Sequence, residues 1–506
     1  MTCSGGVCAP TAKSAMLNVG DLETLLASGN VTVTTTGTGV QADDINVKVA
    51  LSWSSTGALS LLANKSVTVD NPVSVAGLGG LTVTTGGKTG TFSFGKRGNV
   101  TFANLSSQLT INGTAYTLVG DIKTLASDIA NIPNDNFALA NNYDASGDGT
   151  YHASPIPTQF TGTFLGLGNT ISNLSIASAK YSIVALSLFA EVGVNGIVAD
   201  IGLLNAHIFN GGKYSETGTL VADNSGTIIS SYASGIAVGS KEGNTGGLAG
   251  INGGMLANSY ANVAVSGKDG VNGGLVGSNG GKISKCHATG AVSGGSRSGF
   301  IGGLVGENGV GENGGGNIDS SYATGAVSKG PLSGGLVGAN SAPITNSFAT
   351  GDVSGFDGAG GLVGGTGGTE ESIVSNSYST GAVSVKLGGG AAGGLIGVNG
   401  VMSTVGYSYS TGTVAGGMGS LVGGLIGIDD AQPGSITDTY WDTDTSGITN
   451  LSQGAGNVAN DPGITGLTTV QFQSGLPAGF DPTVWAEKPN INDGFPYLLA
   501  NKPPGK

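Results

Sequence analysis

The sequence predicts an all-β solenoid, in which the chain winds into stacked coils, and three observations support this prediction. The stretch Gly273–Gly294 reads GGLVGSNGGKISKCHATGAVSG, and it is one of eight similar copies between about Gly218 and Tyr440. Its leucine returns every 26 to 33 residues, a period typical of solenoid repeats. Charged residues make up only 10% of the chain, yet 39% is apolar and recurs in register, which argues against disorder.

Residues 1–30 are predicted to form a tail and a capping helix. Residues 18–28 have leucines on one helical face, Asp21 as the expected N-cap and Gly29 as the stop signal. We expect this helix to cover the first open edge of the stack, because an uncovered edge would pair with other chains.

Residues 31–115 change to a period-two pattern of short Val- and Thr-rich strands bounded by Gly or Asn. On pattern alone, a sandwich, a barrel and a parallel coil all remain open. Residues 116–216 are predicted to hold an amphipathic helix at Tyr116–Asn131, ended by Pro133, followed by the first coils of the main body.

Residues 217–440 form the repeat array, and each coil is predicted to supply about three short strands separated by Gly- and Asn-containing corners. Stacking places equivalent residues above one another at about 4.8 Å. The Asn column can pass side-chain amide hydrogen bonds along the stack. Three columns carry the register: leucines Leu220, Leu248, Leu275, Leu304, Leu336, Leu362, Leu395 and Leu425; Asn224, Asn252, Asn279, Asn308, Asn340, Thr366, Asn399 and Asp429; and aromatic positions Tyr232, Tyr260, His287, Tyr322, Phe348, Tyr378, Tyr409 and Tyr440.

The direction of the aromatic column is not fixed by the pattern, because the small Ser and Ala residues beside it could equally point inward. We expect the aromatic side chains to lie inside. Residues 441–506 hold two of the three tryptophans and several prolines, a composition suited to a C-terminal cap that shields the last coil.

Charge and hydropathy exclude two classes of partner. The net charge of -13 and the scattered 19 Lys and Arg residues argue against nucleic acid. No run of 18 apolar residues predicts a membrane span, and the N-terminus does not resemble a signal peptide. Cys3 and Cys8 are near enough to pair or to bind a ligand, although a poorly ordered free end is the favoured interpretation.

The sequence offers no catalytic, cofactor or metal site. Cys286 and His287 stand where other copies have Ser and Tyr or Phe, so both are interpreted as members of structural columns. His152 and His207 are isolated. The Asp-rich phrases at residues 144–149 and 442–447 resemble the start of a calcium loop but lack the acid expected at position 12, so turn formation is the favoured interpretation.

Recognition is predicted at the corner where copies differ in length, between the Asn column and the next apolar strand. Loops on a rigid scaffold are common binding sites. The residues assigned to this recognition loop are Glu307, Asn308, Glu312, Asn313, Asp319, Glu370 and Glu371.

The copies, for example GGLVGANSAPITNSFATGDVSG, resemble the GLUG repeat of filamentous haemagglutinin-type bacterial exoproteins. The stretches INVKVALSWSSTGALSLLANKSVTVDNPV, FALANNYDASGDGTYHASPIPTQF and YWDTDTSG with FPYLL are similar to other parts of those proteins. The resemblance implies a right-handed parallel β-helix, secreted or held at the cell surface, that acts as an adhesin without catalytic residues. It also implies export by a two-partner secretion transporter.

The expected function is therefore that of an adhesive passenger region that binds a glycan or a host or bacterial surface protein, and not that of an enzyme. A polysaccharide lyase or hydrolase on the same β-helix is the alternative, and it requires the corner acids to converge. Ice binding through Thr ladders is a third interpretation, disfavoured because each SYATG phrase offers one Thr per coil.

Overall fold

The structure, a computed structural model, describes residues 1–179, 185–295, 299–309, 315–367, 371–386 and 388–505. The chain is all-β, with 47% of residues in strands and 6% in helices, and its strands form a parallel β-solenoid of about 16 turns. This confirms the predicted fold class. The chain divides into two compact units, one comprising Met1–Gly149, Phe160–Leu174 and Gly196–Leu204, the other Thr150–Gln159, Ser175–Asn195 and Asn205–Lys506.

The first unit is a parallel coil, which decides among the three folds that the Val and Thr pattern left open. Leu59 pairs with Leu81 and Leu81 with Leu109, so equivalent residues of successive turns lie above one another. Its strands are Thr2–Ser4, Val7–Ala9, Val31–Thr34, Thr36–Gly37, Val40–Gln41, Ile45–Val47, Leu51–Trp53, Leu59–Leu62, Val67–Val69, Val73–Val75, Leu81–Thr84, Phe92–Phe94, Val100–Phe102, Leu109–Ile111, Thr114–Val119, Asn136–Leu139, Tyr143–Asp144, Thr163–Leu165, Thr170–Ser172, Ile197–Ala199 and the start of Gly202–Asn210.

Two elements cover the N-terminal edge of this unit, a helix and a hairpin. Helix α1, Val19–Ser28, buries Leu22 and Leu26, and its Glu23 carboxylate accepts a hydrogen bond from the Ser52 amide of the first strand beneath it. The N-cap is Asn18 and not the predicted Asp21, because the side chain of Asn18 accepts a hydrogen bond from the backbone amide of Gly20.

The extreme N-terminus is an ordered hairpin, so the interpretation of a loose free end is wrong. A disulfide joins Cys3 to Cys8 across the antiparallel strands Thr2–Ser4 and Val7–Ala9. The second of these strands continues the sheet by pairing with Val31–Thr34. The hairpin thus occupies a sheet edge that would otherwise be open.

The second helix, α2, is shorter than predicted. It spans Ile122–Asn131, with Asp121 as N-cap, whereas Thr114–Val119 is a strand. Leu118 was assigned to the helical face, but it lies in a strand that pairs with Leu109–Ile111 on one side and Asn136–Leu139 on the other. Hydrogen bonds to two neighbouring strands outweigh the local helical spacing.

The second unit contains the repeat array, and each turn contributes to three sheets. The leucine face follows the repeated leucine: Phe189–Val192, Val221–Asn224, Ala249–Asn252, Val276–Asn279, Val305–Asn308, Val337–Asn340, Val363–Thr366, Ile396–Asn399 and Ile426–Asp429. The isoleucine face comes next: Thr227–Ile229, Met255–Ala257, Lys282–Ser284, Asn317–Asp319, Pro343–Thr345, Ser372–Ser375, Ser403–Gly406 and Ile436–Thr437.

The aromatic face carries the aromatic strand of each turn and the strands that lead to the next leucine. Its strands are Thr150–Tyr151, Ser175–Ser178, Ala185–Leu186, the end of Gly202–Asn210, Glu216–Thr217, Tyr232–Lys241, Asn244–Gly246, Tyr260–Lys268, Val271–Gly273, His287–Ala288, Val292–Ser293, Phe300–Gly302, Tyr322–Ala323, Val327–Gly334, Phe348–Ala349, Val353–Gly360, Tyr378–Ser379, Val383–Val385, Ala391–Gly393, Tyr409–Ser410, Val414–Gly416, Leu421–Gly423, Thr439–Asp442 and Ile464–Leu467.

The C-terminal segment beyond these sheets contains helix α3, Thr469–Phe472, and the antiparallel strands Trp485–Ala486 and Tyr497–Leu498. Two 3-10 turns, Ala145–Asp148 and Asn492–Gly494, complete the helical content of the described residues. Within those residues no helix combines the length and the apolar character needed to cross a membrane.

Two polar ladders run through the second unit. In the asparagine ladder, Nδ2 of each Asn donates to Oδ1 of the Asn one turn on, at 2.7–2.8 Å from Asn224 to Asn340. The serine ladder consists of the buried Ser that stands one residue before each aromatic position. Each Ser hydroxyl accepts a hydrogen bond from the backbone amide of the equivalent Ser in the neighbouring turn. The predicted passage of amide hydrogen bonds along the stack is confirmed.

The asparagine ladder is expected to contribute measurably to stability. Asn279→Ala leaves the Asn308 carbonyl oxygen and one amide hydrogen of Asn252 without their ladder partners inside the protein, which costs about 2–4 kcal/mol of unfolding free energy. The control is Asn262→Ala at an exposed position of the neighbouring turn, where we expect a change within about 0.5 kcal/mol. Guanidinium titration measures both, and equal losses would contradict a special role for the ladder.

Candidate functional site

The aromatic column lies on the outside of the second unit, so the expectation that these rings point inward is wrong. The small residue after each ring points inward instead, and Ala233, Ala261, Ala288, Ala323 and Ala349 are fully buried. A Cβ added to the second glycine of the neighbouring GGL phrase would lie 2.9–3.0 Å from the Ala Cβ at Gly247, Gly274, Gly303 and Gly335. At these four turns the interior holds nothing larger than alanine beside glycine.

The rings form one continuous stack. From Tyr232 to Tyr409, neighbouring ring centroids are 4.7–5.1 Å apart and the rings are within 8° of parallel. Each ring from Tyr260 to Tyr378 therefore has both faces against its neighbours and presents its outer edge.

The C-terminal segment, defined here as residues 468–505, covers one end of this stack. Phe348, Tyr378, Tyr409 and Tyr440 are buried with Phe472, Phe480, Trp485 and Phe495 in one apolar cluster. The remaining rings, Tyr232, Tyr260, His287 and Tyr322, are half-buried, and we call these four the open column. Only Tyr322 of the four packs against the covering cluster.

Cys286 and His287 occupy the structural positions that the sequence register predicts. Cys286 is buried, its Sγ contacts the Ser284 carbonyl oxygen in place of a serine hydroxyl, and burial raises its pKa to about 12. Such a thiol is a poor nucleophile. His287 is stacked between Tyr260 and Tyr322, and burial lowers its pKa.

The corner between the leucine and isoleucine faces is where turns differ in length, and we call this corner the inserted edge. From the ladder residue to the next buried apolar residue there are 4 positions in the turn of Asn279, 10 in that of Asn308 and 8 in that of Thr366. The next connections, Asn399 to Val405 and Asp429 to Ile436, also carry extra residues, with 6 and 7 positions. Val401 and Met402 are half-exposed there.

The residues assigned to the recognition loop do not lie together on one surface. Glu307 points outward from the leucine face between Ser278 and Ala339, and burial raises its pKa. Asp319 ends the isoleucine-face strand Asn317–Asp319, and its carboxylate accepts hydrogen bonds from Ser320, Thr345 and Asn346. Glu371 is exposed beside the inserted edge. Glu312, Asn313 and Glu370 lie outside the described residues.

Asn308 does not belong to a recognition surface. It is 1% exposed and holds the asparagine ladder between Asn279 and Asn340. Asn308 was assigned to the loop because it directly precedes the longest insertion in the sequence.

Three carboxyl groups that come together elsewhere were not predicted as a group. Glu191 pairs with Asp223 on adjacent strands of the leucine face. Burial raises the pKa of Asp223, and the charge of Glu191 raises it further. Burial also raises the pKa of Glu216, and the charge of Asp223 adds to this rise. The sequence signal is weak because Glu191 lies in a degenerate copy before the regular array begins.

The Asp-rich phrases form turns, in agreement with their interpretation. The Asp144 carboxylate accepts the Ser146 amide and the Asp442 carboxylate accepts the Asp444 amide, both two residues on. In the part of the chain that the structure describes, no group of three or more His, Cys, Asp or Glu side chains could hold a metal ion.

These features define a β-solenoid with a covered aromatic stack and a variable edge. No protein-family model matches the sequence, and no curated protein matches it. One solved structure that is similar in outline is described as a "putative immunoglobulin A1 protease from Bacteroides ovatus". It is 14% identical, with 77% of this chain and 93% of that chain covered and a TM-score of 0.32, which is too low to carry an argument.

The half-buried His287 is expected to make the fold sensitive to acid. Its folded pKa lies below the ordinary value of 6.5, so below that pH the unfolded chain binds a proton that the folded chain does not. This contribution to stability is present above pH 6.5 and is lost as the pH falls toward the folded pKa. We expect His287→Tyr, which restores the ring of the other turns, to remove this part of the pH dependence.

Thermal unfolding between pH 5 and pH 8 measures the effect, with His207→Asn, an exposed histidine of the same unit, as the control. A slope that His287→Tyr leaves as it is in the wild-type protein would contradict the assignment.

Proposed function

We propose that this chain is the adhesive passenger region of a secreted or cell-surface protein, and that it binds a glycan or a surface protein through its inserted edge. The observation that carries the proposal is the concentration of length variation at one corner of an otherwise regular scaffold. The ladders fix the strands on both sides of that corner, so the insertions of different turns start and end on the same edge of a rigid scaffold. Binding loops positioned by a rigid scaffold are a general pattern.

Two further features support this proposal. The Cys3–Cys8 disulfide is of the kind that persists in oxidising compartments outside the cytosol, which favours a secreted chain and is compatible with the two-partner export that the GLUG resemblance implies. The corner acids within the described residues do not converge: Glu307 points out from the leucine face, whereas Asp319 lies on the isoleucine face and is bound to structural partners. Binding is therefore favoured over catalysis.

The test of this proposal shortens the largest insertion. Replacing residues 309–317 with Gly-Gly-Lys, the corner that follows Asn279 in the preceding turn, should weaken binding at least tenfold because it removes the loop and keeps the register. The purified chain is assayed against glycan arrays, extracellular matrix proteins and intact bacteria.

The matched control replaces Gly280–Lys282 with the Ser-Ala-Pro corner of the turn of Asn340, which exchanges one short corner for another and should leave binding unchanged. Absence of binding to every ligand class, or binding that the shortened variant retains in full, would overturn the proposal.

A polysaccharide-active enzyme is the second candidate, and the observation that favours it is the Glu191, Glu216 and Asp223 group. Neighbouring carboxyl groups with raised pKa values suit an acid and base pair. Our proposal expects no release of reducing ends or unsaturated uronates from neutral or acidic polysaccharides. Cleavage that Asp223→Asn abolishes and Glu307→Gln retains would replace the adhesive function with an enzymatic one.

A further inference from the structure

The aromatic stack of the second unit is a single surface of which only one end is occupied. Tyr322 of the open column stacks on Phe348 of the covered end with centroids 4.9 Å apart and rings 3° from parallel. The stack therefore continues without a break from the part that the C-terminal segment covers into the part that it leaves half-buried.

The covered end shows what kind of group this surface binds. Aromatic side chains of the C-terminal segment pack against the ring edges at an angle: Phe472 and Phe480 lie edge-on to Tyr440 at 6.5 and 5.7 Å, and Trp485 is tilted against Tyr378 at 6.1 Å. Such edge-to-face contacts between aromatic rings are favourable beyond the area that they bury.

Hydrogen bonds at the covered end identify the partner as a polypeptide backbone. The Tyr440 hydroxyl donates to the Ala478 carbonyl oxygen at 2.8 Å, and the Tyr409 hydroxyl donates to that of Pro496. In the other direction, the Asn501 amide donates to the carbonyl oxygens of Ser321 and Asn346.

An aromatic side chain of the C-terminal segment also donates a hydrogen bond to the flank of the stack. The Trp485 indole N–H donates to Oδ1 of Asn376, a residue two positions before its ring in the repeat. The same position in the open column is Asn258 for Tyr260 and Lys285 for His287, and both side chains are exposed.

The open column therefore offers the same three kinds of contact. Its rings are half-buried and, apart from Tyr322, lie outside the cluster that the C-terminal segment forms. Tyr232 and Tyr260 carry hydroxyl groups equivalent to those that donate to the C-terminal segment, and Asn258 provides an amide at the flank. Ring spacings of 4.7–4.9 Å between its members show that the ring faces between them are not available. A sugar that stacks on an aromatic face therefore has no platform between these rings, whereas an aromatic side chain can pack on their edges.

We propose that the open column, Tyr232, Tyr260, His287 and Tyr322, is a binding site for an extended polypeptide segment that carries spaced aromatic side chains, in the manner of the chain's own C-terminal segment. The segment comes from a partner protein, because residues 468–505 of this chain are already bound to the adjoining rings. This surface is separate from the inserted edge, and the inference does not rest on the proposed adhesive function.

The experiment titrates the full chain into a fluorescently labelled peptide with the sequence of residues 468–502 and follows fluorescence anisotropy. We expect saturable one-to-one binding. A second peptide in which Phe472, Phe480 and Trp485 are replaced by Ala should bind at least tenfold more weakly, because it lacks the side chains that pack on the ring edges.

Two variants of the full chain locate the site. Tyr260→Ala removes a ring from the open column and should weaken binding at least tenfold. Asn262→Arg leaves the stack intact and places a long charged side chain at an exposed position two residues along the same strand, and it should weaken binding at least fivefold even if the first variant folds poorly. The control is Tyr214→Ala, which removes an exposed aromatic ring that is not in the stack and should change binding less than twofold.

Three results would overturn the inference: no saturable binding, binding that both column variants retain in full, or glycan binding that the column variants abolish while the peptide does not bind. The second result would mean that the peptide displaces the chain's own C-terminal segment from the covered end. Shortening residues 309–317 should leave peptide binding unchanged, so the failure of one proposal is distinguishable from the failure of the other.

Discussion

The hydrogen bonds that join each strand to its equivalent one turn away determine the rest of this structure. In a parallel stack held in register, every residue has its counterpart from the next turn directly above it. An interaction that suits one pair therefore repeats along the stack wherever successive turns keep the same type of residue. The asparagine and serine ladders are the polar form of this rule, because a buried amide or hydroxyl group finds the partner that it needs in the same residue of the neighbouring turn.

The narrow interior is the second constraint, and it sends the aromatic rings outward. Where a glycine of one strand faces an alanine of another, no space remains for a ring. The outward rings stack on one another, and a stack of this kind leaves apolar edges in water unless another segment covers them. The C-terminal segment satisfies this need for half of the stack. At the turn of Tyr440 the inward position is filled by Trp441, fully buried next to Gly424, so a ring stands inside where the regular turns have Ala or Ser.

Sequence reasoning succeeded where the repeat itself carries the information. The register of the leucine and asparagine columns, and the structural roles of Cys286 and His287, follow from comparing copies within one chain. It failed where two residues of similar polarity alternate, because Tyr and Ala are both compatible with an interior position and only the three-dimensional width of the coil separates them. It also failed for contacts between distant segments, such as that of Asn501 with Ser321, and at Leu118, where strand pairing overrode a helical spacing.

The inserted edge shows how a rigid stack can accept loops of different length without losing register. In the turn of Asn308 the ladder residue remains in place immediately before a long insertion, so the loop leaves the scaffold only after the buried amide has found its partners. The turn of Thr366 lacks an Asn, and there the amide of Asn340 donates to the Ser372 hydroxyl beyond the insertion instead. The ladder is then resumed one turn later, where Thr366 donates to Asn399. Variation is therefore tolerated at this corner because the hydrogen bonds on both sides of it are satisfied independently of the loop.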